Sequence, residues 1–350
     1  MKMIEVDGTE IQMVTAESIE ISPGQRVSFL ITTKNDTNHN YLIHADMDPD
    51  YFDSVPDYLH LNLTATLKYS ELSNSKDPEP HKWNSIPDTD LKPLDKKQYK
   101  APDKIITIVS DIQEADDGTT RGLINGVTFV PPKVPTLLSM LSMGELATNP
   151  EVYGPKTNAF VVEYNKEIQV IIQNAHMDPH PFHLHGHKFE ILDVGEGEYK
   201  TKNKISTNTT YDNLIRRDTV NVPGQGYAVI QFTSDNPGAW LFHCHNVWHM
   251  LFGMRAVIVE APLEAQRTIR NITESENSLC LAAGFKTTGN GGGGIGLDLS
   301  GAPNSPNLIN FGIHSKGVVA LVFCVLSALS GTYSVISYIR ALVKLQPEGA

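Results

Sequence analysis

Seven of the thirteen histidines lie in two short clusters. His180, His183, His185 and His187 fall within eight residues, and His243, His245 and His249 within seven that also enclose Cys244. Imidazole and thiolate together are the donor set of borderline and soft metal ions. In an extended strand, side chains two apart share a face. His183-Leu184-His185 therefore offers two rings to one centre. His243-Cys244-His245 sends two rings one way and the thiolate the other, so a single strand can serve two metal sites. Zinc is the rival metal, but structural zinc sites favour paired cysteines and only one stands here. A thiolate, two imidazoles and a weak axial thioether form the blue-copper arrangement, which accepts both copper oxidation states with little rearrangement. Cys244, His249, Met254 and His180 supply those four groups.

Such ligands need strands to hold them, and the chain is rich in short β-type runs. Ile19-Glu20-Ile21, Arg26 to Thr33 and Leu61 to Tyr69 come first. Lys104 to Val109, Ala159 to Tyr164, Glu167 to Ile172, Tyr227 to Phe232 and Arg255 to Glu260 follow. Long helical periodicity is missing, with short helical turns expected only around Val134 to Met143 and after Cys244. The expected class is all-β, with sandwich domains. Residues 74–103, crowded with Pro, Lys, Asp and Ser, read as a surface linker between a partial domain (1–73) and a complete one (104–262). Residues 263–316, with their Ser, Asn and glycine run, read as a flexible stalk.

Gly317 to Ile339 is uncharged and long enough to cross a bilayer as a helix, and Lys316, Arg340 and Lys344 flank it. It is expected to be a single-pass anchor, with residues 340–350 a short cytosolic tail. The sequons at Asn35, Asn62, Asn208 and Asn271 place the rest outside the cytosol. No apolar h-region follows Met1, so the N-terminus is expected to be incomplete. The net charge of -12 argues against a nucleic-acid partner. Three cysteines are too few for a disulfide framework.

His180-Pro-Phe-His-Leu-His-Gly-His187 and Trp240-Leu-Phe-His-Cys-His-Asn-Val-Trp-His249 resemble the two C-terminal copper motifs of multicopper oxidases. The likeness extends over nearly the whole chain through Pro131 to Leu137, Arg216-Arg-Asp-Thr219, Asp235 to Trp240 and the C-terminal anchor. It is strongest to fungal membrane-anchored iron-transport ferroxidases, which partner an iron permease in the plasma or vacuolar membrane. The resemblance implies cupredoxin-like Greek-key β-sandwich domains. It also implies type 1 copper at His180, Cys244 and His249, type 2 at His183, and type 3 at His185, His243 and His245. Met254 matches the axial position of the type 1 site, where a coordinating Met would lower the reduction potential. His187 is expected to pack beside the ligands. The implied chemistry is one-electron oxidation of substrate at type 1 copper, with transfer along the His-Cys-His strand to a cluster that reduces dioxygen to water.

Such a cluster uses eight histidines in this family, and four would come from first-domain His-x-His motifs outside these 350 residues. Hard oxygen ligands suit a ferrous substrate. Asp53 and Asp178 are the candidates, because the acid expected four residues before His180 is His176 here. Two other readings stand beside the ferroxidase: a laccase-like oxidase of phenols or pigment precursors, and a non-catalytic remnant that merely holds copper.

Overall fold

The computed structural model describes the chain apart from residues 36, 53, 72–73, 77–85, 201–212, 270–271, 309–314 and 345–350. Asp53, Asn208 and Asn271 thus lie outside the described residues. Met1–Asn307 forms one compact unit and Leu308–Ala350 another.

Two sheets build the centre of the first unit. The larger contains β7 (Lys104–Glu114), β8 (Thr120–Ile124), β10 (Glu167–Asn174), β12 (Phe189–Glu196), β13 (Arg216–Arg217) and β15 (Gly226–Thr233), in the order β13-β12-β15-β10-β7-β8. The second contains β9 (Ala159–Val162), β11 (His180–Leu184), β14 (Thr219–Val222), β16 (Gly238–Cys244) and β17 (Arg255–Glu260), in the order β14-β11-β16-β17-β9. Alternating apolar residues from both pack into one cluster that includes Ile108, Val170, Phe182, Ile230, Phe242 and Ile258. This is the expected sandwich. The short helices fall where turns were read: α1 (Thr136–Ser142) and, just after Cys244, α2 (Val247–Phe252).

The N-terminal region folds as two small sheets. One is β2-β1-β3, from β1 (Lys2–Val6), β2 (Thr9–Thr15) and β3 (Val27–Leu30). The other is β5-β4-β6, from β4 (His39–Asp46), β5 (Asn62–Leu67) and β6 (Asn74–Lys76). Ile19 to Ile21 is no strand: Ile21 is exposed and Pro23 follows, without a backbone donor to pair.

Two stretches differ from expectation. In the presumed linker, Leu91 is buried, Lys92 accepts from Gln12 N–H at 2.8 Å, and Asn213 Nδ2 donates to Pro93 at 2.7 Å. This part is a strap that closes the core, because Met3, Val6, Ile11 and Leu91 share the sandwich's own apolar cluster. The described residues of the stalk are folded as far as Asn307. It holds α3 (Pro262–Thr268) and α4 (Glu274–Ala282), and Gly291 both donates to Val152 at 2.6 Å and accepts from Lys133 at 2.9 Å. Buried Asn290 knits the glycine run together by donating to Gly296 and Asp298 and accepting from Gly292 and Gly294. The glycines permit this tight winding. Composition alone read them as slack.

The second unit holds α5 (Ser315–Lys344), of which Gly317–Ala341 is long and apolar enough to cross a membrane.

Candidate metal centre

β11 and β16 are antiparallel neighbours, with Phe182 opposite Cys244 and His183 opposite His243. That register sorts the side chains by parity. Even-numbered His180, Phe182, Leu184, Phe242 and Cys244 face the core, while His183, His185, His243 and His245 gather on the other face. Phe182 and Phe242 stack at 5.2 Å on the same side as Cys244 and pack that face of the two strands.

On the core side, a one-and-a-half-turn helix returns His249 to the thiol. Asn246 caps α2 by accepting from Trp248 N–H at 3.1 Å, and the helix ends at Gly253. Cys244 Sγ then lies 3.7 Å from His180 Nδ1 and 3.6 Å from His249 Nδ1, and the two nitrogens are 3.1 Å apart. A circle through three points so spaced has a radius of about 2.0 Å, which matches metal–imidazole bonds of about 2.0–2.1 Å and a metal–thiolate bond of about 2.3 Å. The donor set fits one metal ion. Met254 is fully buried directly after the helix, and its N–H donates to His249 at 3.0 Å. Behind it, a Cβ on Gly122 would come within 2.8 Å of the Met254 nitrogen and 3.0 Å of the His249 carbonyl, so β8 can pack here only as glycine.

Electrostatics prepare these groups for a cation. Burial, aided by His249 and His176, holds the His180 imidazole down to about 3, so its ring is a neutral donor at physiological pH. Burial also lowers His249, and it pushes the Cys244 thiol up to about 12. A metal must therefore displace the Cys244 proton on entry.

The opposite face brings four histidines together. Ring centroids lie 4.9 Å apart for His183 and His185, 5.2 Å for His185 and His243, and 5.6 Å for His183 and His245. His185 Nε2 and His243 Nε2 approach to 3.1 Å. His243 Nδ1 donates to the Cys244 carbonyl at 2.8 Å and His183 Nδ1 to the Asp218 carbonyl at 2.9 Å, which leaves Nε2 of each ring free as a donor to metal. Burial lowers His185, and it holds His243 down to about 4 against the hydrogen bond to Cys244.

His187 stands apart. Its Nε2 is 2.5 Å from the buried Glu260 carboxylate and its ring lies against Phe232. His176 stacks on His180 at 5.3 Å, with Asp178 N–H donating to His176 Nδ1 at 3.3 Å. Asp178 thus sits beside the core-side donors. Asn35 and Asn62 are exposed, and Asn62 Nδ2 donates to Asp46 at 3.0 Å. Asp218, Thr219 and Glu260 touch the histidines, and Arg26 reaches them through Asp218, without having stood out in the sequence. Arg216-Arg-Asp-Thr219 was visible only as a likeness, and the others carry no local pattern.

Family profiles described as multicopper oxidase match residues 1–72 and 129–264. The iron transport multicopper oxidase fio1 of Schizosaccharomyces pombe is 39% identical over 345 residues, covering 97% of this chain and 55% of its own length. The iron transport multicopper oxidase FET3 of Kluyveromyces lactis is 37% identical over 97% of this chain and 56% of its own. The chain spans about half the length of the curated relatives it matches. The crystal structure of Fet3p, described as a multicopper oxidase that functions in iron import, superposes with a TM-score of 0.82 at 30% identity, over 88% of this chain and 60% of that one. A laccase from Botrytis aclada, 23% identical with a TM-score of 0.65 over 81% of this chain and 50% of its own, shares the fold. Two strands and the short helix after them, which together place a thiolate and two imidazoles on one face and four imidazoles on the other, with these matches in sequence and fold, make the chain a member of the multicopper oxidase family.

Proposed function

We propose that this chain supplies the electron-entry site, and half of the oxygen-reducing site, of a membrane-anchored oxidase acting on ferrous iron. The observation that carries this reading is the convergence of Cys244, His180 and His249 on the face opposite His243 and His245, with one strand joining both sets. Copper held at the three core-side donors would take one electron at a time from the substrate. Cys244 is bonded through its backbone to both neighbouring histidines, which offers a covalent route from one face of the sheet to the other. His183 belongs to type 2 copper and His185, His243 and His245 to type 3 in this reading, with dioxygen reduced to water between them.

Ferrous iron is favoured by the relatives named for iron transport and by Asp178, a hard oxygen donor beside the entry site. α5 would anchor the chain in the plasma or vacuolar membrane, where an iron permease is the partner in this reading, and glycans would sit at exposed Asn35 and Asn62. One observation favours a laccase-like enzyme instead: the side chain stacked on His180 is His176 and not an acid. Anaerobic addition of ferrous iron or of hydroquinone to the copper-loaded chain separates the two. The proposal expects ferrous iron to bleach the blue absorption at one equivalent per Cys244 copper. Bleaching by hydroquinone with none by iron would establish the laccase reading.

A further inference from the structure

The four outer-face histidines lie under a turn from a distant part of the chain. Ser22 N–H donates to the Gln25 side chain at 3.1 Å, and Gln25 Nε2 donates to the Thr219 carbonyl at 3.2 Å. Gly24, at φ +88°, lies against His245 so closely that a Cβ would come within 2.6 Å of Cδ2. Arg26 binds Asp218 through two parallel hydrogen bonds of 2.7 Å, and its Nη1 also donates to the Gly24 carbonyl at 3.0 Å. Asp218 in turn holds His183: its carbonyl accepts from Nδ1 at 2.9 Å, one carboxylate oxygen lies 3.4 Å from the same nitrogen, and Thr219 Oγ1 is 3.0 Å away. One turn thus governs two of the four rings.

We propose that residues 22–26 form a positioning clamp for the oxygen-reducing half-site, with Arg26 setting His183 through Asp218 and Gly24 setting His245 by direct contact. The fork of a guanidinium fixes a carboxylate in both position and plane, which an ammonium cannot do. With Asp218 fixed, the Nδ1 proton of His183 keeps its acceptor and Nε2 keeps its aim. Gly24 is the one residue type that both takes this left-handed backbone and leaves room for the His245 ring. None of these residues belongs to the core-side donor set. The inference rests on the reading of the four histidines as copper ligands only for its consequence, because the clamp itself is visible without metal.

The test uses the full metal-free chain in detergent, labelled with 15N-histidine, and follows the ring signals by NMR. Wild type should show a protected His183 Nδ1 proton. Arg26→Gln should speed its exchange by roughly tenfold, as for loss of one charge-assisted hydrogen bond. Arg26→Lys should not restore protection, and Gly24→Ala should shift the His245 ring signals. The His180 and His249 signals should stay in place in all three, which a general loosening of the fold would not allow. Arg26 is half exposed, so its variants are expected to fold. Unchanged His183 exchange in both Arg26 variants, with unmoved His245 signals in Gly24→Ala, would overturn the clamp. Copper uptake then tests the underlying reading separately: equal uptake by wild type and His185→Ala would remove the copper assignment of the outer face while the NMR result still decided the clamp.

Discussion

The two faces of β11 and β16 are built by different means. The core face closes on itself: Phe182, Phe242 and Met254 are fully buried, a turn of only five residues brings His249 to Cys244, and the strand beside it supplies His180. The outer face is open. Its His183 is hydrogen-bonded to Asp218 and Thr219, and Asp218 in turn to Arg26, 192 positions away in sequence. In the proposed reading the core face passes single electrons, and rigid packing would suit that, since little rearrangement between oxidation states keeps transfer fast. In the same reading the outer face would admit a small molecule and could not be filled with side chains, which fits the hydrogen bonds that hold its His183 and His243.

The largest expected effect is on the core face: Phe242→Ala should cost about 3–5 kcal/mol of stability, read by denaturant unfolding, because it removes a fully buried ring stacked on Phe182. A loss below about 1 kcal/mol would show that packing does not hold this face.

A smaller effect comes from protons. His180, held down to about 3, stays neutral in the folded chain while the unfolded chain takes up a proton near pH 6.5. The folded state therefore binds fewer protons, and stability falls as pH drops below about 6.5 towards 3. His243, held down to about 4, adds to the loss in the same direction. For His180 alone the loss at pH 5 is on the order of 2 kcal/mol. Urea titrations of the metal-free chain at pH 7 and pH 5 measure it. Equal stabilities would mean that these imidazoles are reached by water and protonate freely.

Much of this was legible in the sequence, and the reasons for the rest are physical. The two-residue period placed Cys244 opposite His243 and His245, because strand geometry is local and rigid. Val170, Ile230 and Ile258 could be read as core for the same reason. What escaped notice depends on contacts between distant residues. Arg217, buried with Asp7 and paired also with the half-buried Asp88, ties β13 to the N-terminal region through a charged network that no periodicity reports. The strap through Leu91 and the glycine run around Asn290 looked like linkers because turn-forming residues also build tight, docked loops.

The most direct measurement is the visible spectrum of the copper-loaded chain beside those of Cys244→Ser and His185→Ala. Two separate faces predict strong thiolate-to-copper absorption in the wild type, its complete loss in Cys244→Ser and its survival in His185→Ala. A colourless wild type, or loss of colour in His185→Ala alone, would contradict the account.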